Sequence, residues 1–101
     1  MRIKIIDIPS GEAPEEIRKA WVGCEFTARE NSKGGLQMGV FGGSISPKDL
    51  DGYEVETMHA VEVLLENDPA AARWWLDWLD ALIVEPDYLI FGSRFCKVVS
   101  E

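Results

Sequence analysis

The stretch Asp68–Leu82, DPAAARWWLDWLDAL, constrains the fold most, because it holds three of the four tryptophans at helical spacing. Asp68 is a good N-cap, since its carboxylate accepts hydrogen bonds from first-turn amides that lack intrahelical partners. Pro69 falls at the first helical position, where a missing N–H costs nothing. The alanines that follow have the highest helix propensity. Ala71, Trp75, Trp78 and Leu82 share one face of the expected helix. Trp74 and Ala81 widen that face on one side, and Leu76 and Leu79 on the other. Arg73, Asp77 and Asp80 remain as a polar stripe narrower than a surface helix ordinarily carries. Such a helix is either nearly surrounded by protein or presents indole surface to a partner. Trp75 and Trp78 are assigned to the core. Trp74, at the edge beside Arg73, is the indole expected to be exposed.

A second helix is expected immediately before it. Thr57 can cap a helix running to Glu66, with Met58, Val61 and Leu65 as its apolar stripe. Ala60 and Leu64 lie beside that stripe, while His59, Glu62 and Glu66 face away. Asn67 and Asp68 leave room only for a tight turn, so the two helices form a hairpin over about 57–82.

The rest reads as short strands with one further helix. Arg2–Ile8 alternates at first, then Ile6 and Ile8 fall on the opposite parity, which predicts a bulge or burial on both faces. Ala13–Val22 is a short helix with Pro14 at its start, a Glu15–Lys19 pair on its surface and Gly23 closing it. Cys24–Arg29 and Leu36–Phe41 are strands expected to form a hairpin through a turn at Glu30–Gly35. Tyr53–Glu56 is a short strand or an extended entry to the following helix. Tyr88–Phe91 and Phe95–Val99 are strands separated by Gly92 and Ser93, as a hairpin or as one long strand bent at Gly92.

Strands at both ends with helices between define an α+β chain. A single globular domain spanning residues 1–101 is expected. Its sheet is expected to be small, curved and antiparallel, or a partly open SH3-like barrel, with about five to six short strands. One short N-terminal helix and the helical hairpin pack on it.

Several function classes are disfavoured by composition. The formal net charge of −8 disfavours binding to a nucleic-acid phosphate backbone or to anionic membranes. No apolar run is long enough to span a bilayer and no secretion signal is evident, so a cytoplasmic location is expected. Cys24 and Cys96 are then expected as reduced, packed thiols, which could pair only from neighbouring strands.

No catalytic or metal-binding pattern stands out. The single histidine, His59, sits on an expected polar helix face with no nucleophile at hand. Zinc would need several closely spaced cysteines or histidines, and the chain has no such spacing. Asp49–Gly52 fails the calcium-loop pattern, because the sixth and twelfth positions are Glu54 and Ala60. The glycines of Gly39–Ser44 lack the lysine and the following helix of a phosphate loop. No cofactor and no metal are expected.

The favoured reading is a small, non-enzymatic protein-binding or assembly module. Its partner is another protein or a second copy of itself, and its contact surface involves Trp74, Trp21, Arg73 and Asp77. The alternative is a small ligand-binding protein or enzyme with a pocket between sheet and helical hairpin. Tyr53, His59, Cys96, Asp77 and Asp80 would then be the groups of interest.

Overall fold

The computed structural model describes residues 1–8, 13–30, 37–39, 52–81 and 86–100. The chain is α+β: seven described strands form two small sheets, accompanied by three α-helices. The strands are β1 Arg2–Ile5, β2 Glu25–Thr27, β3 Arg29–Glu30, β4 Gln37–Gly39, β5 Gly52–Glu56, β6 Tyr88–Gly92 and β7 Cys96–Ser100. The helices are α1 Glu15–Lys19, α2 Thr57–Asn67 and α3 Pro69–Asp80.

The first sheet has the order β2-β1-β7 and the second β3-β5-β6-β4. All pairings are antiparallel except β4 with β6, which is parallel. Among the described residues, the expected hairpin between Cys24–Arg29 and Leu36–Phe41 is therefore not formed. The upstream segment breaks at Ala28 into β2, which pairs with β1, and β3, which pairs with β5. The expected SH3-like closure is not formed among the described residues, where no pairing joins the two sheets. The turn at 31–35, residues 40–51 and Leu82 lie outside the described residues.

Strand alternation explains the first sheet. Ile3 and Ile5 are buried while Arg2 and Lys4 are exposed, as a half-buried strand requires. The parity switch expected over Ile6–Ile8 resolves differently. β1 ends at Ile5, and the amides of Ile6 and Asp7 both donate to the Phe95 carbonyl, at 2.8 and 3.3 Å. Two donors converging on one acceptor end the ladder, leaving Ile6 exposed and Ile8 buried. Near the other end of β1, the register against β7 shifts between Arg2 and Ile3.

The chain passes from the second sheet back to the first through a 3-10 turn at Ser93–Phe95. It is thus neither of the two forms expected at Gly92. Close strand approach also explains a glycine: a Cβ on Gly52 would stand 2.3 Å from the Phe91 carbonyl oxygen. Gly23 has a φ of +93° and donates its amide to the Ile5 carbonyl at 2.8 Å. It thereby carries the chain from α1 into β2 in a conformation that glycine adopts without strain.

The helix α1 is shorter than Ala13–Val22 and is tied by side chains to the segment after β1 and to the residue that leads into the helix. Lys19 reaches Asp7 at 2.7 Å, so the expected Glu15–Lys19 pairing gives way to a contact across the fold. The buried Arg18 donates through Nε to the Ala13 carbonyl at 2.8 Å.

The buried face of α2 is rotated from the expected stripe. Thr57, Ala60, Val61 and Leu64 are buried, while Met58 and Leu65 are 54% and 50% exposed. The Thr57 hydroxyl donates to the Pro86 carbonyl at 2.8 Å, and its amide to the Asp87 carbonyl at 3.1 Å. Thr57 is therefore the first helical residue, pinned to the approach to β6, and does not act as a side-chain cap. That anchoring fixes the rotation of α2, and hydropathy alone does not encode it.

The core gathers where the helices meet both sheets. Trp21, Phe26, Trp75 and Phe91 are essentially fully buried and linked by ring contacts that centre on Trp21. Trp21 touches the other three rings, at centroid distances of 5.4 to 5.9 Å.

Candidate functional site

The α3 helix forms as its sequence predicts. The Asp68 carboxylate accepts from the Ala71 amide at 3.1 Å, and Pro69 opens the helix. Its buried arc is Ala71, Ala72, Trp75 and Leu79. That arc is displaced from the expected Ala71–Trp75–Trp78 face, so Trp78 moves out to the flank and is only half-buried. Trp74 shares that flank and is half-buried too. The exposed arc beyond them carries Arg73, Asp77 and Asp80.

Three indoles define the geometry. The rings of Trp74 and Trp78 are parallel to within 10°, with centroids 6.5 Å apart. Trp75 stands nearly perpendicular to both, at 5.0 and 5.5 Å. Its indole N–H donates to the Ile17 carbonyl at 3.4 Å, which ties α3 to α1. The half-buried pair is therefore backed by an indole held in the core, and Trp74 is packed against that core instead of being exposed as expected.

Trp21 does not belong to this surface. It is 0% exposed and sits at the centre of the aromatic cluster, so a partner cannot reach it. Its removal from the contact set has a plain cause. The helix expected over Ala13–Val22 ends at Lys19, and Trp21 lies in the turn leading to β2, packed against Phe26, Phe91 and Trp75. Its indole nitrogen has no hydrogen-bond partner among the described residues. Arg73 and Asp77 are exposed, and no ion pair joins them.

The groups of the pocket reading lie in different places. His59 faces the first sheet instead of solvent: its Nε2 accepts from the Thr27 amide at 3.2 Å, and its ring meets Phe26 edge-on at 6.1 Å. The Cys96 thiol donates to the Phe91 carbonyl at 3.8 Å. Burial pushes that thiol up to about 12, which removes the thiolate a nucleophile would need. Asp77 and Asp80 are on the outer side of α3, and Tyr53 is paired opposite Phe91 in the second sheet. Among the described residues, no group of three His, Cys, Asp or Glu side chains could hold a metal ion.

Two features carry no marker in the linear sequence. Glu54 is almost fully buried in β5 and pairs with Arg29 of β3. The Arg29 guanidinium also lies 4.8 Å from the Tyr88 ring centroid. The hydrogen bond to Glu54 raises the Arg29 pKa above its ordinary value. The strand alternation of Tyr53–Glu56 would place Glu54 opposite Val55, but only the second sheet's burial on both faces makes it a core carboxylate.

The second feature is a separation of charge. The outer side of the first sheet exposes Arg2 and Lys4 of β1, with Lys97 of β7 paired directly to Lys4. Glu25 partly offsets them, at 3.4 Å from Arg2. The helical hairpin instead carries Glu62, Glu66, Asp68, Asp77 and Asp80 against the single cation Arg73.

No protein-family model, curated protein or solved structure matches the chain. Among the described residues, no helix is long and apolar enough to cross a membrane.

Proposed function

We propose that the protein is a small, non-enzymatic binding or assembly module whose contact surface is the Trp74–Trp78 flank of α3. The observation that carries this reading is the pair of parallel, partly buried indoles that pack on the core at its edge, backed by the buried Trp75. Aromatic surface left open beside a packed core is costly in water, and such patches commonly mark interfaces. Tryptophan also contributes more to binding hot spots than most residues, because a rigid ring buries a large area at little entropic cost. Arg73 and Asp77 border the pair and supply the polar rim that protein interfaces ordinarily have.

The test compares wild type with Trp74→Ala and Trp78→Ala. Trp75→Ala is unsuitable, since a ring this deeply buried supports the fold. Affinity capture with each folded chain as bait, together with sedimentation over a range of concentrations, is the measurement. A protein retained by wild type and lost from both variants is the expected result, as is self-association that the variants abolish. Identical captured sets, with every chain monomeric throughout, would sink the reading.

A further inference from the structure

The Trp74–Trp78 flank has a geometry and a charge setting that select among partners. Parallel rings in face contact lie roughly 3.5 Å apart. Centroids 6.5 Å apart therefore place the two parallel rings offset from one another instead of fully overlapped. Trp75, perpendicular to both, closes the core side. Two like-oriented π faces on one side of a helix favour a cation, because the ring quadrupole presents its negative face. A group seated over the pair falls within the ~6 Å reach of both centroids that such attraction requires.

The surrounding charges point the same way. Asp77 lies between the two tryptophans in sequence and on the exposed arc next to them. The hairpin as a whole carries five carboxylates against one guanidinium. An acidic partner would bring like charge against Asp77 at the contact, whereas a basic one complements it. A second copy could offer Arg2, Lys4 and Lys97, but two chains of net charge −8 repel at long range.

We propose that the partner is a basic polypeptide segment that lays an arginine guanidinium against the Trp74 and Trp78 indoles while Asp77 and Asp80 receive its neighbouring cations. Arginine is preferred to lysine because its flat, weakly hydrated guanidinium stacks on an aromatic face at lower desolvation cost. This proposal rests on the reading of the flank as a binding surface, and narrows it to one ligand chemistry.

The experiment uses the whole chain, labelled with nitrogen-15, so that each of the four indole N–H groups reports separately. The probe is a short synthetic peptide of alternating arginine and glycine, with lysine and glutamate counterparts. The arginine peptide is expected to shift the Trp74 and Trp78 signals while leaving Trp21 in place. Asp77→Asn with Asp80→Asn, a surface change, is expected to weaken binding about threefold to tenfold, as is raised salt. The lysine peptide binds more weakly, and the glutamate peptide leaves the spectrum unchanged.

Unmoved Trp74 and Trp78 signals overturn the proposal. So does equal binding by Trp74→Ala, which would reduce the effect to bulk charge. Signals that move with protein concentration alone assign the flank to a second copy, and overturn it as well. If the captured partner of the preceding section is lost from Trp74→Ala while the arginine peptide is silent, the binding surface stands and only the arginine ligand falls. If neither binds, both readings fail.

Discussion

Cys24 and Cys96 flank the same residue of β1 from opposite sides. Ile5 donates its amide to the Cys24 carbonyl at 3.0 Å and is paired with Cys96 across the other edge. With neighbouring strands ~4.8 Å apart, the two cysteines are separated by roughly twice that, beyond the ~7 Å Cα limit for a disulfide. Both are free thiols. Burial raises the Cys24 thiol, helped by the nearby negative charge of Asp68, and carries Cys96 to about 12. A thiol titrating there is about one part in 10⁵ thiolate at neutral pH, and thiolate is the reactive form. Folded protein is therefore expected to resist iodoacetamide at pH 7, with mass spectrometry showing rapid modification only after denaturation. Reactivity of Cys96 in the folded chain should rise about tenfold per pH unit through the alkaline range. Equal alkylation of native and unfolded chains at pH 7 would contradict the burial assigned to both thiols.

At the scale of elements, Asp68 does two things at once. Its amide donates to the Leu64 carbonyl at 2.7 Å, closing α2, while its carboxylate caps the first turn of α3. A single residue with extended backbone thus terminates one helix and starts the next, which is why the hairpin turn is so short. Asp68→Ala is expected to cost about 1 kcal/mol, within the range for losing an N-cap side chain. Asp68→Asn, which keeps the acceptor, should cost appreciably less. Urea denaturation of the two variants distinguishes them, and an Asp68→Ala chain as stable as wild type would rule out a stabilising cap. The α2 helix follows different logic, because Thr57 is anchored to Pro86 and Asp87 from across the fold. That anchor turns Ala60, Val61 and Leu64 inward and leaves Met58 and Leu65 in water. Both sets of residues have helical periodicity, so hydropathy could not choose between them.

For the whole molecule, Trp21 is the common neighbour of both sheets and α3. It meets Phe26 of β2, Phe91 of β6 and Trp75 of α3. Among the described residues no strand pairing joins the two sheets, so this packing and the direct Phe26–Phe91 contact join them beside the crossings at Ala28 and Ser93–Phe95. Trp21→Ala is expected to lose about 3–5 kcal/mol, the range for a large buried ring replaced by a cavity. Trp21→Phe should lose clearly less, for two reasons. It keeps most of the ring, and it removes an indole N–H that has no acceptor among the described residues. Denaturant midpoints with unchanged m-values would establish both. A Trp21→Ala chain of wild-type stability would show that the sheets do not depend on this residue.

Local chemistry was enough to place the start of α3. Asp68-Pro69 with three alanines starts α3 wherever the chain lies, because cap, proline and propensity act within one turn. Alternation in Arg2–Ile5 likewise determined which side chains of β1 are buried. Tertiary structure alone decided the long-range pairings: β3 with β5, β4 parallel to β6, and β2 away from β4. Strand partners form through backbone groups that every residue carries, so side-chain pattern does not specify them. The same holds for the candidate site. The cluster of tryptophans was legible as a helix with Trp75 in the core, but the place of Trp78 on the flank was not. That place depends on the angle at which α3 meets α1 and the sheets. The burial of Trp21 depends on the turn after α1, which only the assembled core holds in place.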